Sequence, residues 1–378
     1  MLDNIISQIK DNFFDIPCSH KAKNFFIDLI DHSYVNSFKP NYQRTHRNYY
    51  VINKNPLIIH TTEDINDIMI FSKLIGNNRK AYFILSFWWT LFDRVNTIKR
   101  IIYSYNRHQK IYTNHKIIFL LNDIHELKEF KKYSIPCFFI HQNSFVDKNI
   151  FKPINTNKRY DIIYNSRLHP MKRHYLLREC ESLALITPYL LKIDHKIISY
   201  LNVLKKIIPN ADILNYDNPK SITDFDVRDN FPQLDPLRVN KINNLAKVGV
   251  ILSAKEGASY ATIEYLLSGL PVVSTINIGG RNHFLDKRFC RIVRSNPKSI
   301  KTAVKDLIES NIPSQFIRSE TIKKMIPHLN RMRLLISNIL MKYNKKQVCT
   351  KTEWENIYIN KMIKTSEKFP EYFLNEII

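Results

Sequence analysis

Residues 253–281, SAKEGASYATIEYLLSGLPVVSTINIGGR, constrain what this chain can fold into more than any other stretch. The run VGVILS that leads into it (residues 248–253) and the run PVVSTI within it (residues 271–276) are apolar, as strands buried on both faces are. Between them, Ser259 is a favourable N-cap, and Gly269 followed by Pro271 is a signal for the end of a helix. The stretch therefore predicts a strand, a loop, a short helix and a second strand of a parallel sheet.

The loops that follow these two strands contain residues suited to binding a ligand. Ligands of open parallel sheets bind beyond the carboxyl ends of the strands, so Glu256 and the pair Gly279-Gly280 should face one crevice. The two glycines permit a close approach of the backbone to a sugar or a phosphate. A helix that starts at Ser259 offers free N–H groups, which suit a phosphate. Arg281 could reach a diphosphate or form a salt bridge within its own loop.

A basic loop lies earlier in the chain, where the predicted strand 160–165 is followed by SRLHPMK (residues 166–172). Arg167 and Lys172 flank this loop, and a helix is expected from there to about residue 186. A reaction that releases a diphosphate needs fixed cations where the negative charge develops, and this pair could supply them. Arg173 and His174 could add further charge. The alternative is a solvated basic loop in a basic protein.

Taken together, these loops resemble the donor site of the retaining, nucleotide-sugar-dependent glycosyltransferases with the GT-B fold, family 4 in particular. The signature of that family is two glutamates separated by seven residues, and here they are Glu256, followed by Gly257, and Glu264. The phrase SGLPVV (residues 268–273) and the loop at 166–172 also resemble family motifs.

Three positions depart from the family pattern. Serine replaces a glycine at Ser259 and at Ser166, which precedes the loop arginine, and Arg173 replaces the glycine that usually follows the lysine.

The resemblance implies an α/β protein with two Rossmann-like domains that face a cleft. Residues 1–155 would form an acceptor domain, residues 156–345 a nucleotide-sugar donor domain, and residues 346–378 a helical segment that could pack back on the first domain. Transfer would retain the anomeric configuration. No metal or other cofactor is expected.

The resemblance also assigns roles to residues of the donor domain. Arg167 and Lys172 would hold the phosphates of the donor, and Glu264 would accept hydrogen bonds from the ribose hydroxyls. Glu256 would be the catalytic residue, since it would contact the transferred sugar and stabilise positive charge at its anomeric carbon. The remaining donor-binding positions would be Gly257, Ala258, Ser259, Gly279 and Gly280.

Composition narrows the possible partners and surroundings. A chain of 378 residues is more than one core usually holds, and the formal charge of +23 predicts attraction to nucleic acid, anionic lipid or phosphorylated glycans. Five scattered cysteines without a C-x-x-C motif indicate a reducing compartment. The longest apolar run, residues 81–92, is too short to span a membrane. We expect a cytoplasmic protein that could touch an anionic membrane surface.

The rest of the chain predicts alternating strands and helices, as in doubly wound parallel sheets. Residues 1–45 are expected to be helical, with Thr61 or Thr62 as the cap of a later helix. Asp235-Pro236 should start another helix. In the basic, helical last 60 residues, the apolar stripe between Met325 and Leu340 is expected to pack in a core. Further helices are expected at 93–112, 123–133, 195–208 and 296–310, and further strands at 56–60, 81–88, 116–121 and 136–140.

The acceptor site is much harder to predict. A histidine at a strand end is one possibility, but a lone histidine is more often structural; the candidates are His60, His108, His115 and His141. Trp88 and Trp89 could stack on a sugar, although core packing is the commoner role of such residues. The triplet at 224–226 has the D-x-D form of a metal–nucleotide site, but it lies outside a clear strand end and is rejected.

The expected acceptor is a surface-glycan intermediate such as lipopolysaccharide or capsule. Two alternatives stay open: an enzyme that glycosylates nucleic acid, such as viral DNA, and an inactive GT-B module that binds a glycan or a polyanion.

Overall fold

A computed structural model describes residues 46–92, 97–187, 195–226, 228, 232–343, 364–366 and 368–378. The helices predicted for residues 1–45, and most of the predicted C-terminal helical segment, lie outside these ranges. The described residues form two sheets with helices packed against them.

The first sheet contains six strands in the order β13-β1-β2-β3-β4-β5. Strands β2 to β5 are parallel, and β1 pairs antiparallel with both β2 and β13. The elements of this part of the chain are β1 (Arg47–Lys54), β2 (Leu57–Thr61), α1 (Ile65–Ile75), β3 (Ala81–Ser86), α2 (Thr97–Ile111), β4 (His115–Leu121), α3 (Ile124–Lys131) and β5 (Cys137–Phe139).

The second sheet contains seven strands in the order β12-β11-β10-β6-β7-β8-β9, parallel except for β9. The elements are β6 (Tyr160–Asn165), β7 (Leu183–Ile186), α4 (His195–Ile207), β8 (Ala211–Ile213), β9 (Lys220–Ser221), α5 (Pro236–Asn243), β10 (Ala246–Ile251), α6 (Tyr260–Leu267), β11 (Val272–Thr275), β12 (Cys290–Val293) and α7 (Pro297–Glu309).

The final elements cross back to the first sheet. Helix α8 (Ser314–Met341) contributes Ile317 and Met325 to the core of the second sheet, whereas its last three turns, with Leu335 and Ile336, pack on the first sheet. The core packing predicted for its apolar stripe is therefore confirmed. Strand β13 (Lys364–Ser366) and α9 (Glu371–Ile377) also belong to the first sheet and its core, where the Phe373 side chain is fully buried. The prediction that residues 346–378 are helical is therefore wrong at 364–366, which pair with the edge of β1. The chain passes between the sheets after β5, and the boundary at 155/156 stays a prediction.

Helix starts were predictable where an N-cap side chain bonds the backbone. The side chains of Asp235 and Asn296 accept hydrogen bonds from N–H groups in the first turns of α5 and α7, as expected of N-caps. The predicted cap at Thr61 or Thr62 is wrong, because the Asp64 carboxylate accepts from the N–H of Asn66 and starts α1 instead.

One predicted helix is wrong. Residues 173–186 form a short 3-10 turn at His174–Leu177 and then the strand β7, instead of continuing as a helix. Arg173 adopts a left-handed backbone conformation, with φ of 54°, which interrupts helical geometry directly after Lys172. The four residues of β7 are all buried between β6 and β8, and this apolar run is too short to be told from a helical turn by its pattern.

Within the described residues, no helix is long and apolar enough to cross a membrane.

Candidate active site

We call the first sheet with its helices the first domain, and the second sheet with its helices the second domain. A cleft of about 580 Å³ opens where the carboxyl ends of the second sheet face the first domain. This volume is within the range of roughly 300–1,000 Å³ that is typical of small-molecule sites. We call it the interdomain cleft. Its lining includes six of the predicted site residues and two tryptophans of the first domain: Arg167, Lys172, Glu256, Ala258, Ser259, Glu264, Trp88 and Trp89.

A charged pair joins the two predicted donor loops. The ammonium group of Lys172 contacts the Oε1 atom of Glu256, although the two residues are 84 positions apart. The Oε2 atom of Glu256 lies 3.8 Å from Nη1 of Arg281, whose side chain is fully buried. The Glu256 carboxylate therefore lies between one cation that lines the cleft and one that is buried behind it.

Arg281 has a structural role in this arrangement. Its guanidinium donates to the carbonyls of Ser253 at 2.5 Å and Thr275 at 2.7 Å, and to the Ser274 hydroxyl at 2.9 Å. It thereby joins the loop after β10 to the end of β11. Of the two roles considered for Arg281, the contacts favour a salt bridge, but its partner is Glu256 of the neighbouring loop and not a residue of its own loop.

Arg167 and Glu264 lie on the lining of the cleft in different surroundings. Arg167 is exposed, at the turn that follows β6, where its cation is available to a ligand in the cleft. Glu264 lies on the second turn of α6, and only 4% of its surface is accessible. The cleft is therefore bordered by positive charge on the β6 side and by a nearly buried carboxylate on the α6 side.

The charge expected from Arg173 and His174 is not directed into the cleft. Arg173 donates to the Leu252 carbonyl at 2.5 Å and to the Thr275 hydroxyl at 2.7 Å, so it braces the ends of β10 and β11. The His174 ring is buried between the hydroxyls of Ser166 and Tyr200, and burial lowers its pKa to about 3. Both residues therefore stabilise the loop that presents Lys172.

Ser259 occupies the N-cap position of α6 as predicted, but its side chain makes no capping hydrogen bond. Its carbonyl accepts a hydrogen bond from the Asn143 side chain of the first domain, at 2.9 Å. The N–H of Ala258 donates to the Trp88 carbonyl at 3.2 Å. The start of α6 is thus partly occupied by contacts with the first domain.

The glycines of the predicted donor loops have a packing role that the sequence did not indicate. A Cβ atom on Gly257 would lie 2.5 Å from the Trp89 carbonyl oxygen, and one on Gly280 would lie 2.0 Å from the Asn122 carbonyl oxygen. A Cβ atom on Gly279, whose φ is 110°, would lie 2.5 Å from the Glu256 carbonyl oxygen and 2.6 Å from the Cβ atom of Thr90. The close approach that Gly257 and Gly280 permit is to the backbone of the first domain, and the described lining of the cleft includes none of the three glycines.

The four histidines considered for the acceptor site are all in structural positions. His60 bonds the Ser86 hydroxyl at 2.7 Å, and His108 and His115 share the hydroxyl of Ser72. The fully buried Nε2 atom of His141 lies 3.0 Å from the Gly280 carbonyl oxygen. None of these four rings is part of the described lining of the cleft.

The tryptophans lie at the site, and the core packing expected of Trp89 is wrong. Trp89 is 46% exposed, and the Lys172 ammonium lies 6.0 Å from the centre of its ring. Trp88 packs edge-on against Tyr260, with ring centres 5.1 Å apart. Both indoles also line a neighbouring cavity of about 630 Å³, which we call the first-domain cavity.

The first-domain cavity was not predicted from the sequence. Asn48 borders both cavities, and three carboxylates follow the end of β2: Glu63, Asp64 and Asp67. The buried guanidinium of Arg47 contacts Glu63 at 3.2 Å and Asp67 at 2.8 Å. The acidic run TEDIND (residues 62–67) is the signal for this cavity in the sequence, but the same run also has the pattern of a helix start.

Within the described ranges, no group of three or more His, Cys, Asp or Glu side chains is arranged to hold a metal ion. Of the D-x-D triplet at 224–226, Phe225 is fully buried in the core of the second sheet, and Asp226 pairs with Arg228.

No protein-family profile and no curated protein matches the sequence. Solved structures do match. Sucrose-phosphate synthase from Thermosynechococcus elongatus aligns over 76% of this chain and 73% of its own, with a TM-score of 0.55 and 11% identity. Anabaena HepE in complex with UDP-glucose aligns over 74% and 78%, with a TM-score of 0.54 and 12% identity. The chain has the GT-B fold. The predicted fold class, two Rossmann-like domains facing a cleft, is thereby confirmed.

Proposed function

We propose that this GT-B protein is a retaining glycosyltransferase that moves a sugar from a nucleotide-sugar donor to a surface-glycan acceptor. The observation that carries the proposal is the Lys172–Glu256 pair on the wall of the interdomain cleft. Residues from two separate strand ends meet there, where a fold of this type binds its ligand. One matched structure, that of Anabaena HepE, is a complex with UDP-glucose, which makes this donor a suitable first probe.

The donor diphosphate would bind between Arg167 and Lys172. Lys172 contacts Glu256, and a diphosphate would compete for its ammonium group with two or more negative charges. Cations held in place before the reaction stabilise the charge that develops on the leaving diphosphate without the cost of reorganisation. Arg167, exposed at the edge of the cleft, would close on the phosphates from the β6 side.

Glu256 would act on the transferred sugar. Its carboxylate can accept hydrogen bonds from sugar hydroxyls and can stabilise positive charge at the anomeric carbon as the bond to the diphosphate breaks. Arg281, 3.8 Å away, fixes the loop that carries it. Glu264 would accept from the two ribose hydroxyls. Of the other predicted donor-binding residues, Ala258 and Ser259 would line the donor, whereas Gly257, Gly279 and Gly280 would shape the cleft by permitting domain contact.

The acceptor would enter from the first-domain cavity, which adjoins the cleft at Asn48, Trp88 and Trp89. Exposed indole faces suit sugar rings, and the cavity adds carboxylates for hydroxyl groups. The carboxylates of Glu63, Asp64 and Asp67 outnumber the guanidinium groups of Arg47, which pairs with two of them, and Arg100. The cavity therefore lacks the excess positive charge of the whole chain, which is +23. This contrast favours a glycan over nucleic acid as the acceptor, and residues 1–155 as the acceptor domain.

We infer that the protein acts in the cytoplasm. The basic surface outside the two cavities would attract it to an anionic membrane that carries glycolipid intermediates. If duplex DNA bound instead with a steep dependence on salt, the nucleic-acid alternative would gain.

Binding of UDP-glucose, followed by calorimetry, tests the donor site. The variants Arg167→Ala and Lys172→Ala should each weaken binding by about 10- to 100-fold, because each removes charge-assisted hydrogen bonds. Lys247→Ala is the matched control, since Lys247 pairs with Asp161 at the opposite end of β10. Unaltered affinity in both cleft variants would refute the donor assignment.

Sugar transfer or donor hydrolysis tests the catalytic role. Glu256→Ala should lower the rate by about 100-fold or more, as removal of a preorganised charge partner does. Wild-type protein without either activity on any nucleotide sugar, and a variant that behaves the same, would favour the inactive module. A thermal-shift panel of nucleotide sugars would select the donor first, because a bound donor stabilises the folded state.

A further inference from the structure

The segment between β3 and α2 separates the two cavities. Residues 87–92, here called the tryptophan loop, present Trp88 and Trp89 to the interdomain cleft and to the first-domain cavity alike. A glycan that reaches the donor sugar from the first-domain cavity must pass this loop. The position of its backbone therefore determines how a glycan in the first-domain cavity is placed relative to the donor sugar in the interdomain cleft.

The first domain holds the tryptophan loop by two side chains that follow β4. The Asn122 amide donates to the Phe87 carbonyl at 2.7 Å, at the start of the loop. At the other end, the Oε1 atom of Glu126 accepts from the Leu91 N–H at 2.7 Å and from the Thr90 hydroxyl at 3.2 Å.

The second domain packs on the same loop from the opposite side. The Ala258 N–H donates to the Trp88 carbonyl at 3.2 Å. Gly257 and Gly279 leave room for the loop, because a Cβ on Gly279 would lie 2.6 Å from the Cβ of Thr90. Thr90 thus lies between Glu126 and Gly257, the neighbour of Glu256, and it is in close contact with both sides.

Glu126 is an unusual residue for its position. It is 1% exposed, on the first turn of α3, and its Oε2 atom has no hydrogen-bond partner in the described structure. A buried carboxylate with one unsatisfied oxygen is costly, and an apolar side chain would fill this space more favourably. The two hydrogen bonds to the tryptophan loop are the gain that offsets this cost.

We propose that Glu126 is a positioning residue that fixes the tryptophan loop at the junction of the two cavities and thereby sets the rate of sugar transfer. It acts through Thr90 and Leu91 and does not touch the donor. The functional half of this proposal rests on the glycosyltransferase function proposed above, whereas the positioning half does not.

The experiment measures the loop and the activity separately. Trp354, which lies outside the described residues, is replaced by phenylalanine in every variant, so that fluorescence reports on Trp88 and Trp89. We expect Glu126→Ala to increase quenching by acrylamide at least twofold. Glu126→Gln keeps an oxygen that can accept both hydrogen bonds, so it should restore the wild-type value. Glu129→Ala, on the exposed face of the same helix, is the matched control and should change nothing.

The activity readout uses hydrolysis of UDP-glucose and its binding by calorimetry. Glu126→Ala should lower kcat at least tenfold while the Kd for UDP-glucose stays within twofold, with rescue by Glu126→Gln. Quenching in Glu126→Ala equal to that of the wild type, or no rescue by glutamine, overturns the positioning role. Changed quenching with an unchanged kcat overturns the link to transfer. If the wild type neither binds nor hydrolyses any donor, the proposed function fails, and the quenching result alone decides the position of the loop.

Discussion

The buried carboxylate of Glu126 leads to a quantitative prediction about stability and pH. Burial raises its pKa from 4.5 to about 7; the Leu91 N–H lowers it, and the nearby Asp123 adds to the rise. A raised carboxyl pKa means that the folded state prefers the protonated form. Its stabilising contribution is therefore fully present below about pH 4.5 and is lost as the pH rises through about 7.

The magnitude follows from the distance between the two pKa values. Between pH 5 and pH 8, Glu126 is already ionised in the unfolded chain but still releases its proton in the folded chain. The free energy of unfolding of the wild type therefore falls by about 3 kcal/mol over this range. Glu126→Gln cannot ionise, so it lacks this loss. We expect the free energy of unfolding of the variant, minus that of the wild type, to increase by about 3 kcal/mol from pH 5 to pH 8.

Urea denaturation at several pH values measures this difference. Taking the difference between two proteins cancels the other titrating groups, and the unsatisfied amide N–H₂ of the variant adds only a constant offset. Glu129→Gln should show no such trend, since Glu129 lies on the exposed face of α3. A difference that stays constant within about 0.5 kcal/mol across the range would refute the reasoning, because the expected change is several times larger.

Three further predictions concern contacts around the cleft. Burial lowers the pKa of His328 to about 3, and the nearby His283 and Arg331 lower it further. The neutral ring therefore contributes stability above pH 6.5, and this contribution is lost on acidification. Between pH 7 and pH 5, the free energy of unfolding of His328→Phe, measured by urea denaturation, should fall by about 2 kcal/mol less than that of the wild type. An equal fall in both proteins would contradict this. Gly280→Ala would place a methyl group against Asn122, so small-angle scattering should report separated domains, and an unchanged radius of gyration would contradict the contact. Arg173→Ala should be less stable than Arg173→Gly by about 1 kcal/mol. Both variants lose the hydrogen bonds of the arginine side chain, but only alanine keeps the strain of a left-handed backbone conformation. Equal melting temperatures would show that this strain is absent.

The fold could be predicted where side-chain pattern and caps agree. Buried parallel strands appear in the sequence as unbroken apolar runs, so β10 and β11 were predicted within two residues of their ends. Asp235 and Asn296 marked helix starts, because their bonds to the backbone are local in sequence. The error at residues 173–186 has the opposite cause. A left-handed arginine is fixed by hydrogen bonds to Leu252 and Thr275, which are distant in the chain.

The site could be predicted only in part. Cations and carboxylates near strand ends indicated one crevice, and the structure brings Lys172 and Glu256 into contact. A glycine in the sequence, however, predicts a close contact with its backbone but does not indicate which group makes that contact. At Gly257 and Gly280 the contact is with the first domain. The sequence around a tryptophan likewise does not indicate whether its side chain is exposed. Trp89 and Glu126 acquire their roles only from the packing of two domains, which no local pattern contains.

The return of the chain to the first sheet after α8 affects the order in which the two domains can fold during synthesis. The first sheet is begun by residues near the start of the chain, but its edge strand β13 and the Phe373 side chain come from the last 15 residues. During synthesis, the first domain to leave the ribosome should therefore be the last to be completed. We expect nascent chains to expose an unfinished apolar face until residues 364–378 have left the ribosome, and a chaperone could bind this face in the meantime.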